Sequence, residues 1–178
     1  GRAHFMTKRF DRTEGNIKLH TQTFCALQHY DYNEINLYSY EQIFETMRLL
    51  GLPYPQAEQL YRRMVFNVMS RNCDDHTKNF TFIMDQEGKW RLSPAYDMCH
   101  AYRPDSDWVN QHGLSINGER KNIKKEDLLF VAKQMNVKKA ESIIKQIAEV
   151  VKKWPNYAGQ TGVDKNLKEA IGKTLYPF

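Results

Sequence analysis

Long apolar runs, paired cysteines and clustered glycines are all missing from this sequence, and each absence removes a class of protein. No uncharged apolar stretch approaches the about 20 residues that a membrane-spanning helix needs, and the first residues carry no apolar segment ending in a small-residue cleavage site. No membrane partner or export signal is expected. The three cysteines, Cys25, Cys73 and Cys99, are odd in number, widely spaced and without a C-x-x-C pair, so neither a disulfide framework nor a zinc site is indicated. A reducing, cytoplasmic setting fits that usage. The nine glycines form no G-x-G-x-x-G, so no phosphate-cradling loop of that kind is present.

What remains is a chain of 178 residues, 41% hydrophobic, which is enough to bury one core and is most simply one domain spanning 1–178. Its formal charge of +5 is modest, but between Arg120 and Lys153 ten Lys or Arg face four Asp or Glu. Such a face suits nucleic acid or an acidic protein, although it lacks the interleaved aromatics that stack on bases, which favours solvated faces of amphipathic helices.

The pattern along the chain is mostly helical. HFMTKRFDR (residues 4–12) reads as a strand without an obvious partner. Ser39 followed by Gln42 has the spacing of a capping box, and Ile43, Phe44, Met47 and Leu50 would line one face of a helix before Gly51 and Pro53 stop it. From Gln56 to about Arg71, the residues Ala57, Leu60, Tyr61, Met64, Val65, Val68 and Met69 make a continuous apolar stripe, so this helix is expected to be buried. Phe80 to Met84, a turn at Asp85 to Gly88, and Lys89 to Leu92 read as a hairpin. Three more helices follow at 126–135, at 138–153, ended by Trp154-Pro155, and at 164–175. The fold expected is a mostly helical domain with one central hairpin.

The chemistry is crowded into RNCDDHTKNF, residues 71–80, between the buried helix and the hairpin. Asp74 and Asn79 have the spacing D-x-x-x-x-N, which in protein kinases supplies an aspartate for the acceptor hydroxyl proton and an asparagine for magnesium. The spacing alone is weak, because Asp11/Asn16, Asp31/Asn36 and Asp105/Asn110 share it. Context distinguishes Asp74: a hairpin returns its end close to its start, so Asp97, just beyond the second strand, can converge on Asp74 and Asn79. Magnesium takes one or two carboxylates plus phosphate oxygens, which Asp97 and Asn79 would serve while Asp74 orients the attacking hydroxyl. Lys78 would either offset phosphate charge or hold Asp74 ionised. His76 is either a ligand or a structural residue fixing the loop. Asp and Asn also favour turns, and Asp75 could merely turn the chain. Carboxylates docked beside Phe80 and Phe82 are nevertheless costly without a cation, which favours a functional loop.

Four stretches, KRFDR (8–12), NCDDHTKNF (72–80), WRLSPAYDM (90–98) and HGLSINGER (112–120), resemble in order the kinase core of the HipA family, serine/threonine kinase toxins of bacterial toxin-antitoxin operons. The resemblance implies a mainly α, protein-kinase-like C-terminal lobe. It would have a short hinge strand over 1–12, the catalytic loop, hairpin and metal aspartate in 70–99, and a helical part from 120 to 178. It implies that Asp74 is catalytic, that Asn79 and Asp97 hold Mg2+, and that Lys8, Arg9, Phe10, His76, Lys78 and Tyr96 contact ATP. The implied partners are a protein substrate, an aminoacyl-tRNA synthetase in this family, and a DNA-binding antitoxin. LSINGER matches a family motif without a chemical role. Met98-Cys99 departs from the Phe-Gly that many kinases carry after the metal aspartate. The glycine-rich loop and strand lysine of a kinase would precede the hinge, so the chain is expected to be a lobe that needs an N-terminal lobe for activity. Two other readings are a non-catalytic docking module, working through the basic 120–153 region, and a kinase for a lipid or small-molecule hydroxyl.

Overall fold

A computed structural model describes residues 4–34 and 36–178. Three strands, β1 (His20–Thr23), β2 (Thr81–Met84) and β3 (Trp90–Leu92), form an antiparallel sheet in the order β1-β2-β3. Its register pairs Gln22 with Phe82 and Phe82 with Leu92. The β2-β3 hairpin is the one expected. Its turn is held by the Asp85 carboxylate, which accepts from Glu87 N and Lys89 N, and Gly88 takes the positive φ of 78° there.

The strand expected over 4–12 does not form. Phe5 and Met6 are 93% and 92% exposed, and the segment's one ladder contact is an isolated bridge between Arg12 and Lys18. A strand needs a neighbour for its backbone groups, and the place beside β2 is taken by β1, which the sequence reading passed over. Thr23 ends β1 and caps the short helix α1 (Phe24–Leu27) through Ala26 N, while Phe24 N donates to Phe80 O at 2.7 Å. The sheet is thereby tied to the start of the hairpin.

Helix α2 (Tyr40–Leu49) begins with the expected reciprocal capping box between Ser39 and Gln42. Helix α3 (Tyr54–Ser70) buries the stripe Leu60, Tyr61, Met64, Val65, Val68 and Met69 and packs chiefly against α5 (Ala140–Val151), which presents Ile143, Ile144 and Ile147. Such aliphatic burial contributes about 1.5–3 kcal/mol per fully buried side chain. Helix α4 (Lys125–Gln134) closes the core with Leu128, Val131 and Ala132, and Tyr61 donates its hydroxyl to Leu128 O at 3.0 Å.

Trp154-Pro155 ends α5 but also opens a further helix, α6 (Trp154–Gln160), with proline in its first turn, where no backbone N–H is required. The last helix, α7 (Lys165–Gly172), is capped by Asp164 and buries no residue completely. The chain then returns along α3, where Tyr176 N donates to Met69 O. No helix of the described residues is long and apolar enough to cross a membrane.

Candidate active site

Helix α3 ends at Arg71, whose left-handed backbone (φ 58°, ψ 41°) turns the chain out of the helix and into the loop 72–80. The loop is clamped on its far side by the segment after the hairpin: Ala101 N donates to Arg71 O and Cys73 N to Ala101 O. A short 3-10 turn at Thr77–Asn79 then delivers the chain to β2.

The centre of the loop is Asp75 rather than Asp74. Asp75 is 1% exposed and accepts from Tyr40 Oη at 2.7 Å, His112 Nδ1 at 2.9 Å and Gly113 N at 2.7 Å. Burial pushes the His112 imidazolium towards losing its proton, but attraction and hydrogen bonding to Asp75, helped by Cys73, outweigh this and carry its pKa up to about 10. Burial, then the same carboxylate, holds the Tyr40 phenol well above its ordinary value, so it stays a donor. Gly113 lies so close that a Cβ would sit 3.1 Å from His76 N and 3.2 Å from its Cα. Arg120 donates to the carbonyls of Tyr38, His112 and Gly113, closing the HGLSINGER stretch on itself and tying it to Tyr38, while Gly113 N also donates to Cys73 O of the loop. This stretch, for which the sequence offered no chemistry, is the scaffold of the loop 72–80.

Beside this anchor, the residues expected to act are brought together unequally. Asp74 presents a carboxylate that is 50% exposed, with His76 Nε2 3.8 Å away. Burial raises its pKa above the ordinary value; Asp97 and Asp75 add to that rise, and His76 and Lys78 oppose it. Asn79 Nδ2 donates to Asp74 O at 2.8 Å, which leaves the amide oxygen free for another partner. Asp97 stands after the hairpin in a left-handed backbone (φ 53°) that aspartate tolerates better than most residues, and its carbonyl accepts from Asn72 Nδ2 at 3.3 Å.

Asn79, Asp97, Asn72, Asn67 and Tyr96 line one recess of about 10 Å3, which is room for roughly one water-sized sphere. Asn72 Oδ1 is buried there without a hydrogen-bond partner among the described residues. Two carboxylate residues, Asp97 and the buried Asp75, stand with amide side chains around this single-ion recess, a donor set that suits a hard cation such as Mg2+, and Arg63 borders it as well. Among the described residues no three His, Cys, Asp or Glu come together as a metal-binding group.

Tyr96 is fixed by Thr81 Oγ1 and by donation to Lys78 O, and its ring lies 5.6 Å from that of Phe10. Of the three hinge residues, Phe10 therefore reaches the recess side. Lys8 is exposed, and Arg9 is paired with Asp11. Lys78 Nζ sits over the Tyr32 ring at 3.2 Å, and His76 meets the same ring edge-on. Tyr32 was not singled out in the sequence, nor was Trp108. With Asp74, His76, Gln111 and Gly113 these two line a cleft of about 380 Å3, whose outer wall, Trp108, is 64% exposed.

A mainly helical body whose hairpin brings an Asp-Asn loop and a following aspartate to one ion-sized recess defines a protein-kinase-like C-terminal lobe. The chain belongs to the HipA-like C-terminal domain family, which it matches over residues 1–154. It is 35% identical over 96 residues to the putative kinase Y4dM of Sinorhizobium fredii (strain NBRC 101917 / NGR234), a match covering 51% of this chain and 22% of that protein. In fold it is similar to a chain of the Shewanella oneidensis MR-1 complex of HipA, HipB and operator DNA. The TM-score is 0.68 at 17% identity, covering 93% of this chain and 44% of that one. The chain thus spans less than half the length of either relative.

Proposed function

We propose that this chain is the helical lobe of an ATP-dependent serine/threonine protein kinase of the HipA type, completed by an N-terminal lobe. The observation that carries the reading is the half-exposed Asp74 carboxylate next to the buried Asp75, which itself lines the Asn79–Asp97 recess. Asp74 accepts the proton of the acceptor hydroxyl, and its raised pKa keeps it basic enough for that role. Asn79 and Asp97 would hold Mg2+, which would supply positive charge to offset that of the ATP phosphates. Phe10 and Tyr96 pack as one wall on the nucleotide side, with the backbone of 8–10 towards adenine.

The cleft of Tyr32 and Trp108 receives the acceptor. Its exposed outer wall favours a polypeptide over an enclosed small molecule. Family membership adds an aminoacyl-tRNA synthetase as the substrate class. The Shewanella oneidensis complex adds a DNA-binding antitoxin of the HipB kind as partner.

The reading is tested by calorimetry of Mg2+-dependent ATP binding to the chain joined to an N-terminal lobe, with Asp97→Ala as the variant. Binding lost in Asp97→Ala supports it. Equal binding by both proteins rejects the assignment of the metal site.

A further inference from the structure

The buried Asp75 carboxylate dictates more than its own contacts. Tyr40 Oη carries a single hydrogen and gives it to Asp75 at 2.7 Å, so towards Asn67 that oxygen can only accept. Asn67, on α3, must then turn its Nδ2 to Tyr40, at 2.9 Å, which leaves its Oδ1 to receive Asn72 Nδ2 at 3.0 Å. With one Nδ2 hydrogen spent there, Asn72 gives the other to Asp97 O at 3.3 Å. From Asn72 to Asp75 every donor points the same way, and Asp75, Tyr40, Asn67 and Asn72 are all buried. Such a chain polarises along its length, and no water replaces a partner lost from it.

The orientation imposed in this way accounts for Asn72 Oδ1, buried without a partner among the described residues. Turning that amide over would face its oxygen to two others, Asn67 Oδ1 and Asp97 O. The far end of the chain is the backbone of the aspartate at the recess. Asp97 stands in a left-handed conformation (φ 53°), which a residue other than glycine keeps only where its surroundings hold it. The Asn72 bond to its carbonyl is such a restraint.

We propose that Tyr40 and Asn67 are positioning residues for Asp97, an inference that rests on reading Asn79 and Asp97 as the Mg2+ site. They carry the orientation set by Asp75 through Asn72 to the Asp97 backbone, and so fix where the Asp97 carboxylate stands. Asn67 itself borders the recess, whereas Tyr40 does not, so a Tyr40 variant separates positioning from direct contact with an ion.

The test uses the chain joined to an N-terminal kinase lobe, with ATP and Mg2+ as probes. Calorimetry gives the Mg2+ concentration at which ATP binding is half-saturated. Tyr40→Phe removes one oxygen, and Asn67→Leu removes both polar groups of the central link. Each raises that concentration about three- to tenfold, the range of one net hydrogen bond. The double variant raises it no further than Asn67→Leu alone, because the chain is already broken. Ile147→Val, a core change away from these residues, leaves it unchanged. A second readout needs no metal: the Asp97 carbonyl-carbon NMR signal of the 178-residue chain moves in Tyr40→Phe and Asn67→Leu but not in Ile147→Val. Should Asn67→Leu not fold, Tyr40→Phe carries both readouts. Wild-type Mg2+ dependence in Tyr40→Phe, an unmoved Asp97 signal, or additive effects in the double variant overturns the proposal. Weakening in Asn67→Leu with none in Tyr40→Phe would make Asn67 a direct ligand only and overturns it as well. Asp97→Ala tells the two levels apart. If it binds Mg2+ and ATP like the wild type, the metal-site reading falls and the positioning role with it; if it loses binding while Tyr40→Phe is unaltered, only the positioning role falls.

Discussion

Replacing His112 by alanine removes one of three donors from a carboxylate that water cannot reach. Asp75 and His112 are 1% and 2% exposed, and their contact is 2.9 Å. Breaking a buried pair by removing one partner costs about 3–5 kcal/mol, against a total of about 5–15 kcal/mol for a domain. Tyr40 and Gly113 N still serve Asp75, which places the expected cost towards the lower part of that range. For a chain of this length each kcal/mol moves the thermal midpoint by about 2–4 °C, so a fall of roughly 6–15 °C is expected.

The same pair sets a pH signature. The folded His112 pKa is raised from 6.5 to about 10, so the pair's stabilisation is complete below about pH 6.5 and is lost as pH rises through 10. Urea unfolding followed by circular dichroism across that window should show the wild type losing stability towards alkaline pH and His112→Ala losing little. In an Asp75→Asn background, His112→Ala should cost distinctly less than in the wild type. A His112→Ala variant destabilised by less than about 1 kcal/mol, or keeping the wild-type pH slope, would refute the anchor.

Gly113→Ala pushes a methyl to 3.1 Å from His76 N. It should cost about 1–3 kcal/mol in urea unfolding and displace the Asp74 loop, lowering phosphate transfer with it. Ser39→Ala breaks the capping box of α2 and should cost about 1 kcal/mol in the same assay while leaving nucleotide affinity unchanged. His76→Ala removes a positive influence that holds the Asp74 pKa down, so the pKa should rise. The acidic limb of the transfer rate should then shift to higher pH, and an unmoved limb would show that Asp74 is not the titrating base.

How far the sequence could be read depended on how local each signal was. The Ser39–Gln42 box, the α3 stripe and the Asp85–Gly88 turn are contained within a few residues, and each appears where its pattern placed it. Strand β1 is four residues without aromatic or aliphatic alternation and takes its conformation from pairing with β2. The segment 4–12 has better strand residues but no partner. Trp154-Pro155 read as a stop because proline both ends one helix and can begin the next. The convergence of Asn79 and Asp97 followed from the hairpin. The anchor was hidden, since His112 reaches Asp75 across 37 positions and no spacing links them. Phe10 reaches Tyr96 by an irregular path rather than as part of a strand.

The central claim is that Asp74 is the base of a phosphoryl transfer. Its most direct test is transfer of the γ-phosphate of ATP to a protein hydroxyl by the chain joined to an N-terminal kinase lobe, comparing wild type with Asp74→Asn after matched folding and nucleotide affinity are established. The account predicts transfer to serine or threonine that falls by about 10²- to 10⁴-fold in the variant, the usual contribution of a general base. Transfer by Asp74→Asn at the wild-type rate would contradict it.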